Sequence, residues 1–166
     1  MKRVAILTSV AAATVIGAAV AVMATDETSS TTPTTVAATA SGKEVKLYKT
    51  PQCSCCEGYA KYLREHGFKV KVKATHDLAL IRKQAGVPSD IEGCHTSIID
   101  KYVVEGHVPV NTLNKLLTEQ PNIKGISLPG MPQGSPGMTG TKSEPFTIFE
   151  IAKDVSDHKR KVYATE

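Results

Sequence analysis

Tryptophan is absent from this 166-residue chain, and five Tyr and three Phe supply its aromatic rings apart from histidine. That scarcity removes the stacking platform on which single-stranded nucleic acid is held. An excess of one charge is missing too: 20 basic against 16 acidic residues give +4, and Lys2 and Arg3 belong to the extreme N-terminus. So small a balance argues against a nucleic-acid partner. No collagen repeat or heptad runs through the chain, and 41% hydrophobic with 22% charged residues is the composition of a globular protein. The length allows one domain with appendages rather than two domains. Cysteine is missing everywhere except at two places, 53–56 and 94.

The first segment has a basic start (Lys2, Arg3), an apolar run from Val4 to about Met23, and small residues at Ala21 and Ala24. This is the layout of a secretory signal peptide, with cleavage expected after Ala24. The run is long and diluted by Thr8, Ser9 and Thr14, so a retained N-terminal anchor is the alternative. No Cys follows it, which argues against a lipid-modified N-terminus. Residues 25–43 are dominated by Thr, Ser and Ala without helical or strand periodicity. Such a stretch buries too little apolar surface to offset its ordering entropy, and we read it as a disordered linker. The folded domain is then 44–166.

Within that domain Val45 to Tyr48 reads as a strand stopped by Thr50-Pro51. From Cys53, the residues Cys56, Tyr59, Ala60 and Leu63 fall on one helical face, ended near His66-Gly67. Phe68 to Val72 alternates apolar residues with Lys, as a half-buried strand does. Asp77 to Ala85 reads as a helix closed by Gly86-Val87-Pro88, with Leu78, Ile81 and Ala85 on its apolar face. Thr96–Asp100 and Tyr102–Glu105 read as a hairpin, followed by a helix opened by Pro109 and carrying Val110, Leu113, Leu116 and Leu117. Leu128 to Gly140 is a Gly- and Pro-rich loop, and 146–151 with 161–164 form a terminal hairpin around Ser156-Asp157-His158. The order strand, helix, strand, helix, two hairpin strands, helix is that of a thioredoxin-like α/β fold with a central mixed sheet.

Cys53 and Cys56 have the C-x-x-C spacing at a helix N-terminus, where free N–H groups and the helix dipole favour thiolate. In the expected fold the turn entering the third strand faces that terminus, and this turn carries Gly93-Cys94-His95. Thioredoxin-type oxidoreductases have a cis-proline there; this chain has none. Three readings are open. The sulfurs are two structural disulfides, as in many exported chains with an even cysteine count; or Cys53 and Cys56 exchange disulfides with a substrate; or all four thiolates hold a metal. Adjacent Cys55 and Cys56 make poor staples, because neighbouring helical side chains splay apart.

A structural zinc site wants two separate C-x-x-C knuckles, whereas three sulfurs within four residues and one 38 positions later suit bridging of soft Cu(I). Met131 and Met138, in PGMPQGSPGM, add thioether donors on a loop expected to fold over the cysteines as a lid; both also read as gap-filling residues. His95, next to Cys94, and His107, in EGHVP, are further candidate ligands or hydrogen-bond partners of a thiolate. His66, His76 and His158 read as solvated helix-end or turn residues.

The segments YKTPQCSCCEGYAKYLREHGF, GCHTSIIDKYVVEGHVPVNTLNKLL and LPGMPQGSPGM, in that order, resemble the CopG-like family of bacterial copper-resistance proteins. The resemblance spans about Val45 to Met138. It implies a thioredoxin-like domain of the periplasm or cell envelope whose cysteines, here Cys53, Cys55, Cys56 and Cys94, bridge a multinuclear copper cluster, with copper redox interconversion. Relatives commonly have Gly between the first cysteines and Trp in the following helix; Ser54 and Tyr59 stand there instead. The partners implied are copper ions and other copper-handling proteins of the envelope. No nucleic acid is expected, and a membrane only where the N-terminal segment is retained.

Overall fold

A computed structural model describes residues 42–154 and 160–166. The expected leader 1–24, nearly all of the linker 25–43, and the turn Ser156-Asp157-His158 lie outside the described residues. The described chain begins already attached: the Gly42 N–H donates to the Gly67 carbonyl at 2.8 Å, and Lys43 pairs with Asp100. No helix among the described residues is long and apolar enough to cross a membrane.

The element order is β1 (Glu44–Lys49), α1 (Ser54–Glu65), β2 (Lys69–Ala74), α2 (Leu78–Ala85), a 3-10 turn (Ser89–Ile91), β3 (His95–Ile99), β4 (Tyr102–Glu105), α3 (Val110–Glu119), β5 (Gly125–Ser127), β6 (Thr147–Ile151) and β7 (Val162–Thr165). The strands form one seven-stranded sheet in the order β2-β1-β3-β4-β5-β6-β7. β1 runs parallel to β2 and antiparallel to β3, β3 antiparallel to β4, and β4 parallel to β5. β5, β6 and β7 continue antiparallel, so the sheet is mixed.

Periodicity explains which face each element buries. The α1 stripe Cys56, Tyr59, Ala60 and Leu63 is buried in full, and Gly67 takes the left-handed φ of 89° that ends such a helix. On the same side α3 buries Leu113, Leu116 and Leu117 against Val45, Leu47, Ile99, Val104, Ile126 and Ile148 of the strands. Successive strand residues point to opposite faces. Ile98 and Val103, neighbours of Ile99 and Val104, therefore join Ala85, Val87, Ile91, Phe149 and Ile151 in a second core on the other face. Each fully buried Leu, Ile or Val contributes on the order of 1.5–3 kcal/mol relative to exposure, so these two clusters dominate stability.

Three details depart from the expected pattern. Pro109 caps α3 from outside, with ψ at 149°, rather than occupying its first helical position. In α2 only Leu78 is buried; Ala85 is partly buried, and Val87 and Ile91, beyond the helix, supply the apolar contacts on that face. β5 was not read from the sequence at all. Its three residues are too few to show a period, yet it lies centrally, and a Cβ on Gly125 would stand 1.8 Å from the Val103 carbonyl oxygen. Only glycine lets these two backbones approach.

Candidate metal centre

β1 ends at Lys49, and the chain turns through Thr50-Pro51 so that the Cys53 N–H donates to the Thr50 carbonyl at 3.2 Å. Cys53 is the N-cap of α1, in an extended conformation, and places Cys55 and Cys56 in the first helical turn. Lys49 holds this turn from beneath. Its side chain is buried, and its Nζ lies 3.3 Å from the carbonyl oxygens of both Thr50 and Pro51 and 3.2 Å from the Glu57 carboxylate.

From the other side, the turn before β3 delivers Cys94. Its Sγ is 3.6 Å from Cys56 Sγ and 3.8 Å from Cys55 Sγ, while Cys53 Sγ and Cys55 Sγ are 3.3 Å apart. All four sulfurs lie within 4.8 Å of one another, as the expected convergence requires. Cys53 and Cys56 are joined by a disulfide; Cys55 and Cys94 are free. The four sulfurs are thus together, but in this oxidised form two of them are not available as thiolates. Burial, and then the neighbouring Cys55, push the Cys94 thiol up to about 12. An uncompensated negative charge is therefore unfavourable there, and a bound cation would reverse that balance.

Both candidate histidines reach Cys94. His107 is completely buried, with Nε2 2.8 Å from Cys94 Sγ and Nδ1 2.6 Å from the Pro136 carbonyl oxygen. A carbonyl only accepts, so Nδ1 carries the proton and Nε2 turns its lone pair to the sulfur. His95 Nδ1 lies 3.3 Å from the same sulfur, and His95 Nε2 is buried with no hydrogen-bond partner. Burial holds both imidazoles below the usual histidine range, His95 strongly so, with the neighbouring His107 and Arg82 acting in the same direction. Burial thus favours the neutral form of both, with a lone pair to donate, although at His107 the Pro136 hydrogen bond acts the other way. Tyr59, read from the sequence only as a core residue, backs them: its ring centre is 4.7 Å from His95 and 5.2 Å from His107, and its hydroxyl donates to Val108 O at 2.8 Å.

The Gly- and Pro-rich loop lies against α1 through its backbone. A Cβ on Gly58 would meet the Gly137 carbonyl oxygen at 2.6 Å, so the loop closes only because residue 58 has no side chain. Pro136 supplies the carbonyl that orients His107. Gly130 pairs with Gly93, which sets the backbone of Met131 alongside the Cys94 turn. Met131 is 58% exposed and Met138 half-buried. The loop's backbone reaches His107 at Pro136 and α1 at Gly137.

Sequence reasoning also missed a charged pair under the Cys94 turn. Glu105 is completely buried and accepts from Arg82 Nε at 2.8 Å, from the Gly93 N–H at 3.0 Å and from Thr96 Oγ1 at 2.7 Å. Burial raises its carboxyl above the ordinary range, opposed by Thr96 and Arg82. Lone acidic and basic residues in strands and helices give no sign of such pairing, since most are solvated.

A mixed-sheet α/β domain whose buried polar cluster is sulfur and imidazole belongs, by its donor set, among proteins built for soft metals or thiol chemistry. Two solved structures are similar to it over nearly their whole length. "Copper resistance protein copG- Form 2" has a TM-score of 0.68 and 32% identity, covering 75% of this chain and 98% of that one. "Copper resistance protein copG- Form 1" has a TM-score of 0.66 and 32% identity, covering 74% and 96%. The chain belongs to the CopG copper-resistance family. A family model described as "Protein of unknown function, DUF411" matches residues 91–138, which include Cys94, His95, His107 and most of the loop but not the first three cysteines. No curated protein matches the chain.

Proposed function

We propose that this chain is an exported copper-binding protein of the periplasm or envelope, serving copper resistance, whose reduced form holds Cu(I) in a thiolate-bridged multinuclear cluster. The observation that carries the reading is the arrival of four sulfurs from two separate turns within 4.8 Å. The donor set fits copper: thiolates with a neutral imidazole are soft to borderline ligands, and four sulfurs shared among several ions need no separate tetrahedral cage. Cys53, Cys55, Cys56 and Cys94 are the bridging ligands, His107 the nitrogen donor, and His95, Met131 and Met138 auxiliary donors. The leader 1–24, linker 25–43 and binding domain 44–166 belong to the same reading. The order β2-β1-β3-β4, with α1 after β1 and α3 after β4, supports a thioredoxin-like core extended by β5, β6 and β7.

Full capacity requires the Cys53–Cys56 bond to be reduced. A cellular dithiol supplies two electrons and two protons, after which both sulfurs bind metal as thiolates and release those protons. In reverse, closing the disulfide yields two electrons, enough to take two Cu(II) to Cu(I). That balance supports redox interconversion, with copper ions and other envelope copper-handling proteins as partners. Anaerobic Cu(I) titration of the reduced chain is expected to reach more than one ion per chain, with ultraviolet thiolate-to-Cu(I) absorption. Binding of less than one equivalent, or unchanged stoichiometry in Cys94→Ser, would overturn the cluster.

The disulfide itself favours a second reading, a thiol-disulfide oxidoreductase using Cys53 and Cys56. Against it, Cys94 stands where such enzymes carry proline, and a free Cys55 crowds the exchanging pair. Metal-free turnover in an insulin-reduction assay, abolished by Cys53→Ser, would promote it.

A further inference from the structure

We propose that the buried Arg82–Glu105 pair is a positioning device that fixes the 92–95 turn so that the Cys94 sulfur meets the other sulfurs and His107. Before β3 begins at His95 the turn has a single bridge rather than a ladder, Gly93 beside Gly130, where the Gly130 N–H donates to the Glu92 carbonyl at 2.9 Å and leaves both polar groups of Gly93 to other partners. Both backbone polar groups of Gly93 are bound by the pair: its N–H donates to Glu105 Oε1 at 3.0 Å, and its carbonyl accepts from Arg82 Nη2 at 2.5 Å. Arg82 also reaches Glu92 at 3.4 Å, and Thr96 fixes the second Glu105 oxygen at 2.7 Å. The residues on either side of Cys94 are thus tied to one rigid fork-and-carboxylate unit.

Side-chain packing cannot do this work here. A Cβ on Gly93 would stand 2.5 Å from Gly106 Cα, so the turn rests directly on backbone and has no side chain to lodge. Nor is net stability a sufficient reason for the pair, because a buried ion pair is often no better than an apolar replacement of equal volume. What it supplies is geometry. Ligand constellations must be held within roughly 0.5 Å, and Cys94 touches both His107 and the opposite turn.

The copper arm of the test rests on the proposed function; the first arm does not. In the metal-free oxidised chain, the rate at which iodoacetamide labels Cys94 is followed on its peptide by mass spectrometry. Circular dichroism confirms that each variant is folded. Glu105→Gln and Arg82→Met are both expected to raise that rate about tenfold, since each frees the turn. An electrostatic influence alone would move the two in opposite directions: losing the anion eases thiolate formation and losing the cation hinders it. Opposite shifts, or none, overturn the proposal. Arg82→Lys keeps the charge without the fork and is expected to label nearly as fast as Arg82→Met; the parental rate there would also overturn it. Should Glu105→Gln fail to fold, the Arg82→Lys result decides.

In the copper arm, Glu105→Gln is expected to weaken Cu(I) binding at least tenfold in the parent and not in a Cys94→Ser background. An equal loss in both backgrounds would mark Glu105 as a general structural residue and overturn the proposal. If the parent takes up no copper, the proposed function fails while the labelling rates still decide this one.

Discussion

The two turns that meet at the sulfur cluster are built on different principles. The 50–56 turn is local: a strand end, Pro51 and a helix N-terminus bring three sulfurs together within four residues, and Lys49 beside them fastens the bend. The 92–95 turn is assembled from a distance, by Arg82 on α2, Glu105 on β4 and the glycines at 93 and 106. One can be redrawn residue by residue while the other stands or falls with the sheet. The difference shows where the site's precision resides. The local turn supplies sulfur in excess, and the distant one decides whether that sulfur has a partner.

Oxidation separates the turns most sharply. With Cys53–Cys56 closed, the first turn keeps only Cys55, whereas the second retains Cys94 and His95, with His107 from the segment after β4 beside them. Cu(I) capacity measured anaerobically should fall from several ions in the reduced chain to one or fewer in the oxidised one. Equal capacity in both forms would mean that the two disulfide sulfurs are not ligands.

Small substitutions should separate them next. Gly93→Ala drives a Cβ to 2.5 Å from Gly106 Cα, where backbone must move. Overpacking of that kind typically costs about 1–3 kcal/mol, and copper affinity should fall with it as Cys94 is displaced. Ser54→Ala, at an exposed position in the first turn, should stay within about 0.5 kcal/mol and leave affinity alone. Denaturant melts and Cu(I) competition titrations on both variants check this, and comparable losses would erase the distinction.

What was legible in the sequence follows the same division. The α1 stripe Cys56, Tyr59, Ala60 and Leu63, the alternating Lys and Val of β2, and the Asp100 hairpin, where φ is 52°, all carry their signal within a few neighbours. The convergence of Cys94 with the first turn was readable once the element order was known. The Arg82–Glu105 pair, the buried Lys49 and the central β5 were not, because each depends on which segments become adjacent in the sheet. The oxidation state of Cys53 and Cys56 was not legible either, since one spacing serves a disulfide and a metal alike.

Acid should act through the second turn. Burial keeps His95 and His107 neutral in the folded chain, whereas in the unfolded chain each takes up a proton below about pH 6.5. The unfolded state then binds more protons, so metal-free stability is complete above that range and is lost as pH falls through it. Denaturant midpoints of the metal-free chain at about pH 8 and pH 5 should differ accordingly. His95→Asn should flatten the difference. A first-turn variant such as Cys55→Ser should keep it, and a slope insensitive to His95 would place the acid response elsewhere.

The smallest effect is expected from the two methionines, and it bears on what the loop contributes to each turn. Its backbone serves both: Gly137 lies on Gly58 of α1, and the Pro136 carbonyl sets the tautomer of His107, which faces Cys94. Those contacts survive any side-chain change at 131 or 138. Met131 is 58% exposed, and Met138 is half-buried, so replacing both by Leu keeps volume and apolarity at a cost typically below about 1.5 kcal/mol. Folding and copper stoichiometry should therefore be unchanged. A thioether is a soft, uncharged donor and leucine is none, so affinity should fall a few-fold and the loaded protein should oxidise faster in air. If the double variant instead matches the parent in both, Met131 and Met138 are packing residues, and the loop contributes to the site only through the carbonyl that turns His107 toward sulfur.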